Sequence, residues 1–171
     1  MRSKLCKSIV VISIILMPIL LSCATTQQKQ KESRDADFYF DQGIAHFTAT
    51  RYDRAISDFT KAIEADPKHA KAYNDRGLAY WNIGQYDQAI ADYTKAIEID
   101  PKLAIAYYNR AVVYYFKKEY DKSWEDVRKA QDLGYHIPSK FLEDLRKASE
   151  RQNWRRGLTD FQPVMFKSYH V

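Results

Sequence analysis

The sequence predicts an all-α chain, an α-solenoid of three stacked helix pairs closed by a C-terminal capping helix, and three observations carry that expectation. Seven columns are identical at a spacing of 34 residues: Ala36/Ala70/Ala104, Tyr39/Tyr73/Tyr107, Tyr52/Tyr86/Tyr120, Asp53/Asp87/Asp121, Asp58/Asp92/Asp126, Lys61/Lys95/Lys129 and Ala62/Ala96/Ala130. Within one copy, Ala70 to Leu103, two runs keep a 3.6-residue apolar spacing: Tyr73, Leu78, Tyr80, Trp81 and Ile83, then Ala89, Ile90, Tyr93, Ala96, Ile97 and Ile99. The first run stops at Gly84 and the second at Asp100-Pro101, where proline cannot donate into a helical ladder. Such a unit cannot bury its own apolar stripe and must stack on the next copy.

Residues 1–22 have the shape of a signal peptide. Arg2, Lys4 and Lys7 precede an apolar-rich run from Ile9 to Leu21, broken only by Ser13 and Pro18. That run falls short of the roughly 20 residues a membrane span needs. It closes on Leu20-Leu21-Ser22-Cys23, which resembles the bacterial lipobox; the resemblance implies that Cys23 becomes the lipidated, palmitate-bearing first residue of the mature chain. Ala24 then favours, by the sorting rule of such lipoproteins, the outer membrane facing the periplasm. Several acyl chains give a stable anchor where one would not. Residues 23–35 form a polar lipidated tether. As a flexible chain, 24–35 has a root-mean-square reach of about 20 Å and an extended limit of about 40 Å. Cys6 leaves with the signal, so no disulfide forms within the mature chain. The formal charge falls from +5 to +2 with the loss of the three signal cations.

The repeats are expected at 36–69, 70–103 and 104–137. Small residues mark the close approach within each pair: Gly43, Gly77 and Ala111 on the first helix, Ala55, Ala89 and Ser123 on the second. Phe59, Tyr93 and Val127 are expected to fill the space against the next repeat. Asp53, Asp87 and Asp121 are expected to cap the second helices, and Asp58/Lys61, Asp92/Lys95 and Asp126/Lys129 to form surface ion pairs. Residues 138–153 read as a capping helix with Phe141, Leu142, Leu145 and Ala148 on one apolar stripe. The tail, 154–171, has Gly157, Pro163 and no helical period, but Phe161, Val164, Met165, Phe166 and Tyr169 make it apolar. Packing on the cap, mobility, and insertion into a groove of this or a neighbouring molecule all stay open for it.

The repeat resembles the tetratricopeptide repeat. That family's alternation of aromatic and small columns ending in proline is matched by Tyr73, Gly77, Tyr80, Ala89, Tyr93, Ala96 and Pro101. The first copy follows with Tyr39, Gly43, Ala55, Phe59, Ala62 and Pro67, but has His46 for tyrosine. The third departs at Ala111, Ser123, Val127 and Tyr135. The resemblance covers 36–137 and implies a concave peptide-binding groove lined by the first helices. Carried over position by position, the groove residues are Asp37, Phe40, Asp41, Ile44 and Phe47; Lys71, Asn74, Asp75, Leu78 and Trp81; and Ile105, Tyr108, Asn109, Val112, Tyr115 and Phe116. Such a groove suits a peptide with apolar anchors and a basic residue. The chaperone-tail type of groove grips a terminal carboxylate with cations, whereas those columns here read Phe40, Ile44, Asp75, Ile105 and Asn109.

Catalytic and cofactor chemistry is not expected. His46, His69, His136 and His170 lack metal-ligand spacing, and neither a nucleophile motif nor a phosphate-cradling glycine loop occurs. The basic group Arg151, Arg155 and Arg156 beside Trp154 reads as a solvated face or a contact with head groups or an acidic partner, not a nucleic-acid site. The expected role is a non-enzymatic, lipid-anchored adaptor or scaffold that binds an envelope protein or peptide segment. The alternative is a self-assembling homodimer formed through the tail and apolar faces.

Overall fold

The computed structural model describes residues 27–155 except 29. The signal peptide, Cys23 and the tail beyond Arg155 lie outside the described residues. Seven helices and no strand are formed by them: α1 (30–48), α2 (Tyr52–Ala65), α3 (Ala70–Asn82), α4 (Tyr86–Ile99), α5 (Ala104–Phe116), α6 (Tyr120–Asp132) and α7 (Ser139–Arg155). The all-α expectation holds, and each pair breaks at the anticipated turn. The chain divides into two compact units, Met1–Arg76 and Gly77–Val171.

The polar segment expected to be a flexible tether is helical at 27, 28 and 30–35, continuous with the first helix of the first repeat. Gln28 donates to Glu32 at 2.8 Å, an i,i+4 pair that supports the extra turns.

The turns inside the three pairs are superimposable in their bonding. The N–H groups of Thr50, Gly84 and Lys118 donate to the carbonyls of Phe47, Trp81 and Tyr115, and those of Arg51, Gln85 and Glu119 to His46, Tyr80 and Tyr114, at 2.9–3.0 Å. The middle residue has positive φ each time: 57° at Thr50, 77° at Gly84 and 62° at Lys118. Only the second repeat places glycine there, the residue without a Cβ penalty in that region.

The second helices start without side-chain caps. Arg51, Gln85 and Glu119 hold the capping position and none makes a side-chain bond to the first turn. Asp53, Asp87 and Asp121 sit two positions past the cap, inside the first turn, where a carboxylate acts on the helix dipole rather than on a particular N–H. Between repeats, Asp66 and Asp100 accept from the N–H of Lys68 and Lys102 across the intervening proline, at 2.9 and 3.0 Å.

The small columns do set the crossing distance. A Cβ built on Gly43 would lie 2.5 Å from the Phe59 ring, and one on Gly77 would lie 2.9 Å from Tyr93 and 3.2 Å from the Ala89 carbonyl. Phe59 and Tyr93 therefore pack onto the glycine of their own repeat, not only against the next one; Tyr93 also joins Ala89 and Val113 in one buried cluster. In the third pair the Ser123 hydroxyl donates to the Ala111 carbonyl at 2.8 Å, a bond that satisfies a buried polar group where glycine and alanine stand in the other copies.

The aspartates expected on the surface are buried: Asp58 is 8% exposed, Asp92 6% and Asp126 4%. Asp58 does pair with Lys61 at 2.8 Å, with His46 Nε2 at 3.5 Å on its other side. Asp126 instead takes two bonds of 2.8 Å from the Arg110 guanidinium, whose third nitrogen donates to Thr94 at 2.9 Å. Lys95 pairs with Glu98 at 3.0 Å. The column points between helices, so its cation comes from a neighbouring helix as readily as from its own.

The α7 helix closes the second unit. Leu145 is fully buried with Tyr107, Ala111, Val127, Ala130 and Ile137. Trp124 donates to Ser149 at 3.3 Å, and Gln152 to the Lys118 carbonyl at 3.4 Å. The outer face carries Lys140–Asp144, Arg146–Glu150 and Lys147–Glu143 pairs, which keep a terminal helix soluble.

Candidate interaction surface

In the first unit the candidate residues separate into a packed set and an acidic set. Phe40 is half-buried against Phe59 at 5.7 Å and His69 at 4.7 Å between ring centroids, and Phe47 rests on Tyr52 at 5.4 Å. Both are held by their own repeat. His69 is itself fixed: its Nδ1 accepts the Ala72 N–H at 3.1 Å, capping α3, and its Nε2 lies 3.9 Å from Asp37. Asp37, Asp41 and Lys71 are exposed, as is Ile44. Asn74 is buried and donates to Asp75 at 2.8 Å, so it orients that carboxylate instead of facing a ligand. Burial pushes the Asp75 carboxyl above its ordinary value, with Asn74, His69 and Lys71 pulling the other way. The result is an acidic edge with one carboxylate held in place.

In the second unit the aromatic rings form a connected series. Tyr86 lies on Trp81 at 5.0 Å and Trp81 on Phe116 at 4.8 Å; Phe116 meets Tyr115 at 5.4 Å. Phe141 of the capping helix then stands against both Tyr115, at 5.6 Å, and Tyr108, at 5.7 Å, and Tyr108 stacks on Tyr135 at 5.1 Å. Edge and offset geometries of this kind are favourable beyond the area they bury.

The cap divides the expected floor. Tyr108 and Tyr115 are committed to packing under α7, and burial pushes the Tyr108 hydroxyl above its ordinary value. Asn109, Leu78, Ile105 and Val112 are only partly exposed. Phe116, 54% exposed, and Tyr86, 36% exposed, remain open with Trp81 between them. Sequence reasoning found Trp81 and Phe116 but not Tyr86, Tyr135 and Phe141. Tyr86 was visible as one of the seven identical columns, but its position on the second helix hid its contact with the first.

Among the described residues no group of three or more His, Cys, Asp and Glu is arranged to hold a metal ion, and no helix is long and apolar enough to cross a membrane.

A family model described as tetratricopeptide repeat matches residues 40–104 and 75–134. Among solved structures, the chain is similar to the TPR2B domain of yeast Sti1, described as a complex with pHsp70, at 27% identity and a TM-score of 0.63, over 70% of this chain and 99% of that one. It is similar to the second such domain of human RPAP3 in complex with the HSP70 peptide SGPTIEEVD, at 25% identity and a TM-score of 0.61, over 71% and 98%. MamA is similar at 30% identity and a TM-score of 0.58, over 60% of each chain. No curated protein matches.

Proposed function

The chain belongs to the tetratricopeptide repeat family, whose fold serves protein–protein interaction as a rule, and on that premise we propose that it is a lipid-anchored adaptor that holds an envelope protein or peptide segment close to a bacterial membrane. The observation that carries the binding reading is the open aromatic strip of Tyr86, Trp81 and Phe116. Fixed rings that face solvent are what an apolar anchor needs at low entropic cost.

The ligand differs from those named for the similar structures. The Sti1 and RPAP3 descriptions name heat-shock protein partners, and the RPAP3 peptide ends in EEVD. Here the columns that grip a terminal carboxylate in such grooves hold Phe40, Ile44, Asp75, Ile105 and Asn109, with no cation. An acidic tail would meet Asp37, Asp41 and Asp75, so the segment we propose carries an apolar anchor and a basic residue instead.

The anchor reading rests on the charged n-region, the apolar run and Leu20-Leu21-Ser22-Cys23. Helical residues begin as early as 27, which leaves little slack between Cys23 and the first repeat and keeps that repeat near the bilayer. The membrane is the outer one, facing the periplasm.

The test is a crosslinked pull-down from the native envelope with wild type, Cys23→Ser and Phe116→Ala, together with mass spectrometry of the N-terminus. A lipidated Cys23 and one dominant heterologous partner, lost in both variants while far-UV helicity is kept, is the expected result. An unmodified terminus would end the anchor reading. Self-crosslinks alone would replace the adaptor by a homodimer.

A further inference from the structure

We propose that the aromatic strip of the second unit has an internal ligand: the segment 156–171 of the same chain, seated on Trp81, Tyr86 and Phe116. Three observations converge on it. The strip is unfinished, with Phe116 54% exposed and Tyr86 36% exposed although both rings are fixed against Trp81. Large fixed aromatic faces of that kind in a row mark a surface that something covers.

The second observation is where the chain leaves the capping helix. Gln152 donates to the carbonyl of Lys118 at 3.4 Å, so the last turn of α7 lies against the α5–α6 turn. That turn follows Phe116 directly and is closed by the Lys118 N–H on the Tyr115 carbonyl at 3.0 Å. The described end of α7 therefore lies close to the turn that follows Phe116. At about 3.3 Å of extended chain per residue, Leu158 and Phe161 lie within roughly 10–20 Å of the helix end.

The third is composition. Leu158, Phe161, Val164, Met165, Phe166 and Tyr169 fall within sixteen residues that also carry Gly157 and Pro163. A segment with this many anchors, tethered to a helix that touches the turn after Phe116, has an effective concentration on the order of millimolar at the strip. Any external partner must displace it, so the segment sets a threshold for capture. The inference does not require that a partner exist and stands apart from the adaptor reading.

The test places the photoreactive residue p-benzoylphenylalanine at position 116 of the full chain, and separately at position 86 so that Phe116 stays intact. Equal amounts of natural-abundance and ¹⁵N-labelled protein are mixed before irradiation, and crosslinked peptides are mapped by mass spectrometry. The expected product joins the probe to residues 156–171 without isotope mixing, and it falls to background when Phe161→Ser and Phe166→Ser are combined. Isotopically mixed products would assign the strip to the tail of a second copy and overturn the proposal. Absence of tail crosslinks at both probe sites, or their persistence in the double variant, would overturn it as well. None of these outcomes bears on whether Cys23→Ser loses a partner, so the two readings fail separately.

Discussion

Asp58 in the first repeat and Asp126 in the third occupy one column and are both buried, yet they are neutralised in different ways. Asp58 is met by Lys61 from its own helix and by the His46 ring. Asp126 is gripped by both arms of Arg110, which continues to Thr94 of the preceding repeat. The cause lies on the first helix of the pair: the arginine position of the third repeat is Gln42 in the first. An amide cannot supply the charged fork, so the lysine folds over instead. A buried carboxylate is thus a fixed demand of the helix pair, and the neighbouring helix decides how it is met. The same contrast runs through the aromatics, which form small separate groups in the first unit, Phe59–Phe40–His69 and Phe47–Tyr52, and a longer connected series in the second.

The largest expected effect comes from breaking the braced pair. Arg110→Met leaves Asp126 buried without its fork and should cost about 3 kcal/mol in chemical denaturation. Lys61→Ala, which removes an exposed lysine and leaves His46 in place, should leave the denaturation midpoint close to wild type. Equal losses in the two variants would mean that the two solutions are energetically the same and that burial of the column is irrelevant.

A smaller effect sharpens the comparison at the turns. Thr50, Gly84 and Lys118 share one left-handed conformation, and a β-branched threonine is the poorest of the three there. Thr50→Gly should stabilise the protein by about 0.5–1 kcal/mol, the relief of strain exceeding the entropic cost of glycine. A destabilised variant would show that the Thr50 hydroxyl bond to the Ala49 carbonyl matters more than the backbone.

The smallest effect separates the two carboxylates that burial pushes upward. Asp126 has a guanidinium to offset the penalty, whereas Asp75 has the Asn74 amide as its hydrogen-bond donor. A carboxyl with a folded pKa above its unfolded value binds more protons when folded, so its contribution to stability falls as pH rises through that interval and is best below it. Asp75→Asn should therefore be slightly more stable than wild type at pH 7, and the difference should vanish as pH falls below the unfolded value near 3.8. Urea titrations at pH 3 and pH 7 measure this; a gain that persists unchanged at low pH would contradict it.

Most of the helical plan was legible in residue order, because periodic apolar stripes and prolines act through local geometry. Gly43 and Gly77 were readable as close-approach positions for the same reason: only a missing Cβ fits beneath the Phe59 and Tyr93 rings. The site was only partly legible. Trp81 and Phe116 follow from the resemblance of the repeats to their family, but the retirement of Tyr108 and Tyr115 into the core depends on Phe141 of α7, whose approach no local pattern encodes. The helical start near 27 was missed because a polar segment without an apolar stripe gives no periodic signal.

By itself the sequence determined the repeat length, the turns within and between the pairs and the positions of closest packing. Those depend on backbone stereochemistry and on which residues recur. Tertiary structure alone decided which cation meets each buried aspartate and which aromatics stay open. Both depend on side chains brought together from different helices, where a single neighbouring substitution, Gln42 for arginine or a ring on the capping helix, redirects the contact.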